Sequence, residues 1–457
     1  MFFLFQYPWG HYITQHTFVR ISPLFDKERE MLRRPQIRRH VILKSDILSG
    51  TDNKGSLKRG LLFSFKKIKK DDKMKITEEQ LQDIRRAMGA KKFIADILSP
   101  AGIAVNGKNP WDIQVKDESF YQRIIRDGSL GLGESYMDGC WECECLDEFF
   151  CRIMPTQPED KLKKNLKLLI HLLSSVILNP GSKSRAFQVA ERHYDLGNEL
   201  FKHMLDKRMV YSCAYWKDAG NLDDAQEAKL DLICRKLYLR PGDRVLDIGC
   251  GWGSFARFAA EKYKVEVVGI TVSKEQAALG RELCEGLPVE IRLQDYRDIG
   301  EKFDHVVSVG MFEHVGYKNY GTYMQKVRDC LKDDGFFLLQ TIGNSVSQVV
   351  LDPWFNKYIF PNSLLPSMKQ ISAAIEGLFV VEDWHNFGSH YDPTLTSWFR
   401  NLDNNWDRLK GRYDDRFYRM WKYYLLSSAG TFRSRYLQVW QIVLSKKGGQ
   451  GGYHSIR

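Results

Sequence analysis

No run of about 20 uncharged apolar residues occurs in the 457-residue chain, so the sequence predicts no membrane-spanning helix. The apolar opening MFFLFQYPW has no basic region before it and no small-residue cleavage site after it, and it does not read as a secretory signal. Nine cysteines form no paired framework of the kind that staples small secreted domains, which points to a reducing, cytoplasmic setting. Cys140, Cys143, Cys145 and Cys151 cluster, but neither a second C-x-x-C nor a suitably spaced His pair follows them. They read as buried or half-buried thiols, and no metal site is expected. Internal repeats and low-complexity tracts are absent as well.

Charge of one sign is scarce outside one segment. The formal net charge is +11, yet residues 1–73 hold 16 Lys and Arg against 7 Asp and Glu, so residues 74–457 are nearly neutral. The basic extension lacks sustained periodicity and reads as a disordered, solvated arm, or as sequence upstream of a true start at Met74. Its functional alternative is a polybasic contact with a membrane or nucleic acid. The 43% apolar content of the whole chain is enough to bury two domains. A small α/β domain is expected over 76–155 and a helical segment with a Pro/Gly/Ser linker over 156–185. A larger α/β domain should span 186–447, followed by a flexible tail over 448–457.

What is present is a glycine turn. VLDIGCGWGSF (245–255) is an apolar strand that ends in glycines and leads into a helix, the arrangement in which backbone N–H groups approach a nucleotide cofactor closely. Gly249, Gly251 and Gly253 read G-x-G-x-G, whereas a dinucleotide site needs G-x-G-x-x-G and an acidic residue at the end of the next strand. That next strand ends at Thr271, so S-adenosylmethionine fits better than a dinucleotide. Such turns also serve simply to reverse a chain. Here, however, RVLDIG, VEVVGITV, VEIRLQD, DHVVSVGMF and FFLLQTIG alternate with helical segments at 253–263, 273–285 and 318–332. That alternation predicts a parallel sheet with helices on both faces and ligands beyond the carboxyl ends of its strands, where Gly249, Thr271, Asp295, Glu313 and Ile342 all fall.

Individual residues carry paired readings. Ser273 and Gln276 form an S-x-x-Q capping box, and Gln276 is also placed to bond a cofactor. Asp295 and Tyr296 suit an adenine amino group and ring, or else a turn aspartate beside a core tyrosine. Glu313 and His314 are adjacent, so at most one points into a given pocket. A carboxylate there needs a hydrogen-bonded partner or a raised pKa. YSCAYW (211–216) suits a lid over the cofactor or plain aromatic packing. Cys213 has no basic neighbour in sequence and is not read as a nucleophile.

Eight separated runs then make a family recognisable: GSLGLGESYMDGCWEC, HYDLGNELF, YSCAYWKDA, VLDIGCGWG, QDYRD, VSVGMFEHVG, KYIFPN and DWHNFG. Together they closely resemble cyclopropane-fatty-acyl-phospholipid synthases, members of the S-adenosylmethionine-dependent mycolic acid/cyclopropane synthase family. The resemblance implies a class I, Rossmann-like α/β methyltransferase domain preceded by a small α/β domain. It further implies transfer of a methylene from S-adenosylmethionine to a cis double bond of a phospholipid acyl chain, through a carbocation deprotonated by bound bicarbonate. By motif match, Glu313 and Tyr391 hold the bicarbonate through side chains, with backbone groups of Cys213 and Ile342 assisting. Tyr211, Ser212, Gly249, Gly251, Thr271, Gln276, Asp295 and Tyr296 contact the cofactor.

Two departures stand out. Gln340 replaces a histidine that hydrogen-bonds the bicarbonate in many relatives, so binding is expected to persist with a flatter pH response. Ser428 stands where many relatives carry cysteine. The family's substrate further implies a cytoplasmic enzyme held peripherally at the inner face of the membrane, a homodimer, and no nucleic-acid partner. WFNKYIFPNSLLPS (354–367) is the candidate for the membrane surface and acyl tunnel, or else a packed loop. The alternative reaction is a related methyl transfer giving a branched lipid or a methylated small amine.

Overall fold

The structure is a computed structural model that describes residues 89–156, 197–449 and 451–457. The basic extension, most of the expected helical linker and the unit Met1–Ile84 lie outside the described residues. Arg85–Arg457 is one compact unit.

Its centre is a seven-stranded sheet: β1 Arg244–Ile248, β2 Glu266–Thr271, β3 Val289–Leu293, β4 His305–Val309, β5 Phe336–Asn344, β6 Val380–Asn386 and β7 Leu437–Ser445. The order is β3-β2-β1-β4-β5-β7-β6. All pairs are parallel except those of β7, which runs antiparallel between β5 and β6. The apolar runs of β1, β2 and β4 are buried on both faces, as expected of parallel strands covered by helices. The chain turns from β1 toward β2 on one side and places β4 on the other. This creates the crevice in which α/β sheets bind ligands. The five strands read from the sequence are present, as are the helices Ser254–Tyr263, Lys274–Leu283 and Tyr320–Cys330. β6 and β7 were not anticipated.

Residues 89–156 do not pack as a separate domain. Helix Leu146–Ile153 lies against the long helix Asp415–Arg433, and both belong to one apolar cluster that includes Trp141, Phe149, Trp421 and Tyr423. The helices cross so closely at Gly430 that a Cβ there would collide with the Asp147 carbonyl. Arg433 adds charge-assisted bonds to Asp147 (2.6 Å) and Asp392 (2.9 Å). Residues 89–156 thus share a core with a helix from the far end of the chain.

The tail expected to be flexible is docked. Tyr453 donates to the Lys236 carbonyl at 2.9 Å, and Arg457 makes two 2.6 Å bonds to Asp383. Asp383 is buried 3.3 Å from the fully buried Lys236 ammonium, and Arg457 closes that charged cluster from outside.

Candidate active site

A cavity of about 190 Å³ opens beyond the carboxyl ends of β1, β2 and β4. All eight residues expected to contact the cofactor line it: Tyr211, Ser212, Gly249, Gly251, Thr271, Gln276, Asp295 and Tyr296. Gly249 has φ +81 and lies so near Met311 that an added Cβ would sit 2.7 Å from its side chain. Gly251, at φ +56, faces open space, so its backbone stays exposed to whatever fills the cavity.

The polar wall differs in detail from the sequence reading. Ser273 caps its helix by accepting from the Gln276 N–H at 3.3 Å, but the reciprocal half of the capping box is missing. The Gln276 side chain instead accepts from the Thr271 hydroxyl at 2.9 Å, which fixes it over the β2 end. Asp295 accepts from the Arg297 N–H (2.9 Å) and guanidinium (3.0 Å), and each oxygen retains accepting capacity toward a ligand. Tyr296 is buried edge-on to Tyr323, with ring centroids 5.1 Å apart.

None of the five residues read as catalytic lines this cavity; they lie in the packing around it. Glu313 is buried, and its Oε1 accepts from the Ile342 N–H at 2.7 Å. Its Oε2 has no partner, and burial raises the carboxyl above its ordinary range. The Ile342 N–H, expected to assist the bicarbonate, is therefore engaged by Glu313 itself. Cys213 is buried and its thiol is pushed far up by desolvation. Tyr391 packs between Phe432 (4.7 Å) and Trp398 (5.9 Å), and Trp398 in turn meets Tyr211 of the cavity wall at 5.2 Å. Cys213 and Tyr391 share one apolar cluster, with Ile342 packed against it. Gln340 is paired across β5 and β7, where its Oε1 accepts from the Gln441 amide at 2.9 Å.

Of the adjacent pair, His314 lines the cavity and Glu313 turns to Ile342. Within 354–367, Trp354, Ile359 and Leu364 are buried while Phe360, Pro361 and Asn362 reach the cavity. The segment is thus packed into the fold and walls the site rather than forming an exposed apolar face. Lys229 and Asp247, also in the wall, were not picked from the sequence. Asp247, a lone charge inside an apolar strand, was the visible signal; Lys229 gave none. Among the described residues, no three His, Cys, Asp or Glu side chains are grouped to hold a metal ion.

Comparison with known proteins places this arrangement. The family model described as mycolic acid cyclopropane synthetase matches residues 181–442. The chain is 54% identical over 351 residues to the cyclopropane-fatty-acyl-phospholipid synthase of Escherichia coli K12, covering 77% of this chain and 92% of that protein. It is 41% identical over 280 residues to a probable fatty acid methyltransferase of Pseudomonas putida, covering 58% of this chain and 70% of that one. Among solved structures, the mycolic acid cyclopropane synthase CmaA1 complexed with SAH and CTAB is 33% identical with a TM-score of 0.54, covering 57% of this chain and 98% of CmaA1. Sequence, sheet order and cavity agree: the chain belongs to the mycolic acid cyclopropane synthetase family and is an S-adenosylmethionine-dependent methyltransferase.

Proposed function

We propose that this enzyme transfers a methylene from S-adenosylmethionine to a cis double bond of an unsaturated phospholipid acyl chain and closes a cyclopropane ring. What supports this most is a cavity walled by the eight residues expected to hold the cofactor, with a buried carboxylate nearby, Glu313, that has an unpartnered oxygen. In the reaction the π electrons form a bond to the sulfonium methyl as its C–S bond breaks, leaving a cation on the acyl chain. Loss of a proton from the added methyl then closes the ring. An alkene is a weak nucleophile, so the gain comes from alignment in a dry site. Tyr391, Trp398 and Phe432 supply apolar walls, and the Tyr391 ring face is suited to a passing cation.

Bicarbonate, when bound, supplies the base for the final proton. The residues present fit it, because the free Glu313 oxygen can be satisfied only by a donor such as its hydroxyl. Tyr391, the Cys213 backbone and the remaining Gln340 amide protons would complete the set, while Ile342 acts by holding Glu313 in place. The eight cavity residues would hold the cofactor, with Asp295 and Tyr296 at its base. Peripheral contact with the inner face of the membrane and a homodimeric assembly complete the proposal. No helix among the described residues is long and apolar enough to cross a membrane.

The test is gas chromatography–mass spectrometry of phospholipids incubated with the purified protein and S-adenosylmethionine. Cyclopropane acyl chains are expected, with mass gain equal to one CH₂ and loss of the double bond. Methyl-branched chains without rings would overturn the proposal.

A further inference from the structure

The helix Leu222–Lys236 precedes β1 and lies beneath the segment 210–212 that walls the cavity. Gln226 and Lys229, one turn apart and both fully buried, reach the same residue from below. Gln226 donates its amide to the Ser212 carbonyl at 2.9 Å and to the Val210 carbonyl at 3.3 Å. Lys229 donates its ammonium to the Ser212 hydroxyl oxygen at 2.8 Å. A fully buried ammonium ordinarily sits against a carboxylate, yet Lys229 makes no ion pair with any described residue. The other cation of the cavity wall, Arg297, is paired with Asp295 at 3.0 Å. Lys229 is therefore the buried positive charge of this cavity left without a contacting anion.

The direction of the Lys229 bond decides what Ser212 can do. A hydroxyl has one proton, and the ammonium can only donate, so the Ser212 oxygen accepts and its own proton is left to donate. The wall thus offers an O–H donor with a cation directly behind it, a combination that recognises a carboxylate and repels an ammonium. We infer that Lys229 is a positioning residue that orients the Ser212 hydroxyl and supplies the buried charge for the α-carboxylate of the cofactor's amino-acid end. This rests on the assignment of the cavity to S-adenosylmethionine. Asp247, in the same wall and within electrostatic reach of Lys229, suits the neighbouring ammonium, so the two opposite charges, not in direct contact with one another, match a zwitterion.

The experiment compares two ligands by isothermal titration calorimetry. S-adenosylhomocysteine carries the amino-acid end; 5′-methylthioadenosine lacks it. Lys229→Met is expected to weaken S-adenosylhomocysteine by about 10- to 100-fold, the range for a charge-assisted hydrogen bond, and to leave methylthioadenosine within about twofold. Ser212→Ala keeps the buried ammonium and tests the same wall if the lysine variant does not fold; it should also weaken only S-adenosylhomocysteine. Because Lys229 acts through Ser212, the double variant should lose much less than the product of the single losses. Equal loss of both ligands, or no loss of S-adenosylhomocysteine, overturns the role of Lys229 alone. Failure of the unaltered enzyme to bind S-adenosylhomocysteine overturns the cavity assignment together with it.

Discussion

His314 offers a test in which the sign and size of a pH effect follow from one side chain. Its ring lies in the cavity wall between Phe360, at 6.0 Å between centroids, and the Ser363 hydroxyl, at 2.8 Å from Nδ1. No charged group contributes to its shift; desolvation alone lowers its pKa from 6.5 to about 4. The folded protein consequently binds fewer protons than the unfolded chain between these values. The stabilisation is fully present above pH 6.5 and is lost as pH falls toward 4. At about 1.4 kcal/mol per unit the full effect is about 3 kcal/mol, of which about 2 is lost by pH 4.5. His314→Gln keeps an acceptor for Ser363 and removes the titration. Urea unfolding at pH 7.5 and 4.5 should show the unaltered protein losing about 2 kcal/mol more than the variant. The other depressed histidines, His305, His385 and His390, are present in both proteins and cancel in the difference. Equal losses would refute the idea that His314 is held neutral by burial.

Five further substitutions test the site and the charged cluster at the C-terminus. Gly249→Ala forces a Cβ toward Met311 at φ +81 and should lower thermal stability, whereas Gly251→Ala points into open space and should chiefly abolish S-adenosylhomocysteine binding in calorimetry. Glu313→Gln should reduce turnover by at least about 100-fold yet leave S-adenosylhomocysteine affinity within about twofold, because Glu313 does not line the cofactor cavity. Asp383→Asn strands the Lys236 ammonium and should cost about 3–5 kcal/mol in urea unfolding, while Arg457→Gln, which leaves the buried pair intact, should cost much less.

The half of the fold that was legible is the half built from local signals. β1, β2, β4 and β5 announce themselves because each is an apolar run buried on both faces and punctuated by turns, whereas β3, an edge strand with Glu290 and Arg292 in it, is legible from its place in the strand–helix alternation. β6 gave no such signal: VVEDWHN is an edge strand with Val380 and Val381 exposed and Glu382 and Asp383 inside it. β7 carries Gln438 and Gln441 within its apolar run and inserts between two strands distant in sequence. Its place is decided by tertiary pairing rather than by any local pattern. The cofactor wall was legible for the same reason as β1 to β5, since most of its residues follow strand ends. Lys229 was not, because KLDLICRK reads as a charged helix face and only packing reveals that its first lysine is buried.

The reacting half follows a different logic. Tyr391 begins the helix Tyr391–Asn404, and its ring rests on Phe432 near the end of Asp415–Arg433. That second helix is held on its other side by Leu146–Ile153 through the Gly430 crossing and the Arg433 bonds. The segment 89–156 therefore supports the helix on which the Tyr391 ring rests, although none of its residues lines the cavity. A residue's chemistry is then carried by one stretch of chain and its position by another far away in sequence. This explains why Tyr391 is read only through the family motifs, whereas Glu313 already falls at a strand end in the alternating pattern. It also explains why Thr394 bonds the Ala214 N–H at 3.2 Å and the Trp216 indole at 2.9 Å: one hydroxyl ties the aromatic segment bearing Tyr211 and Cys213 to the helix bearing Tyr391. Registration of the cavity wall against the helix that bears Tyr391 thus depends on contacts between segments far apart in sequence.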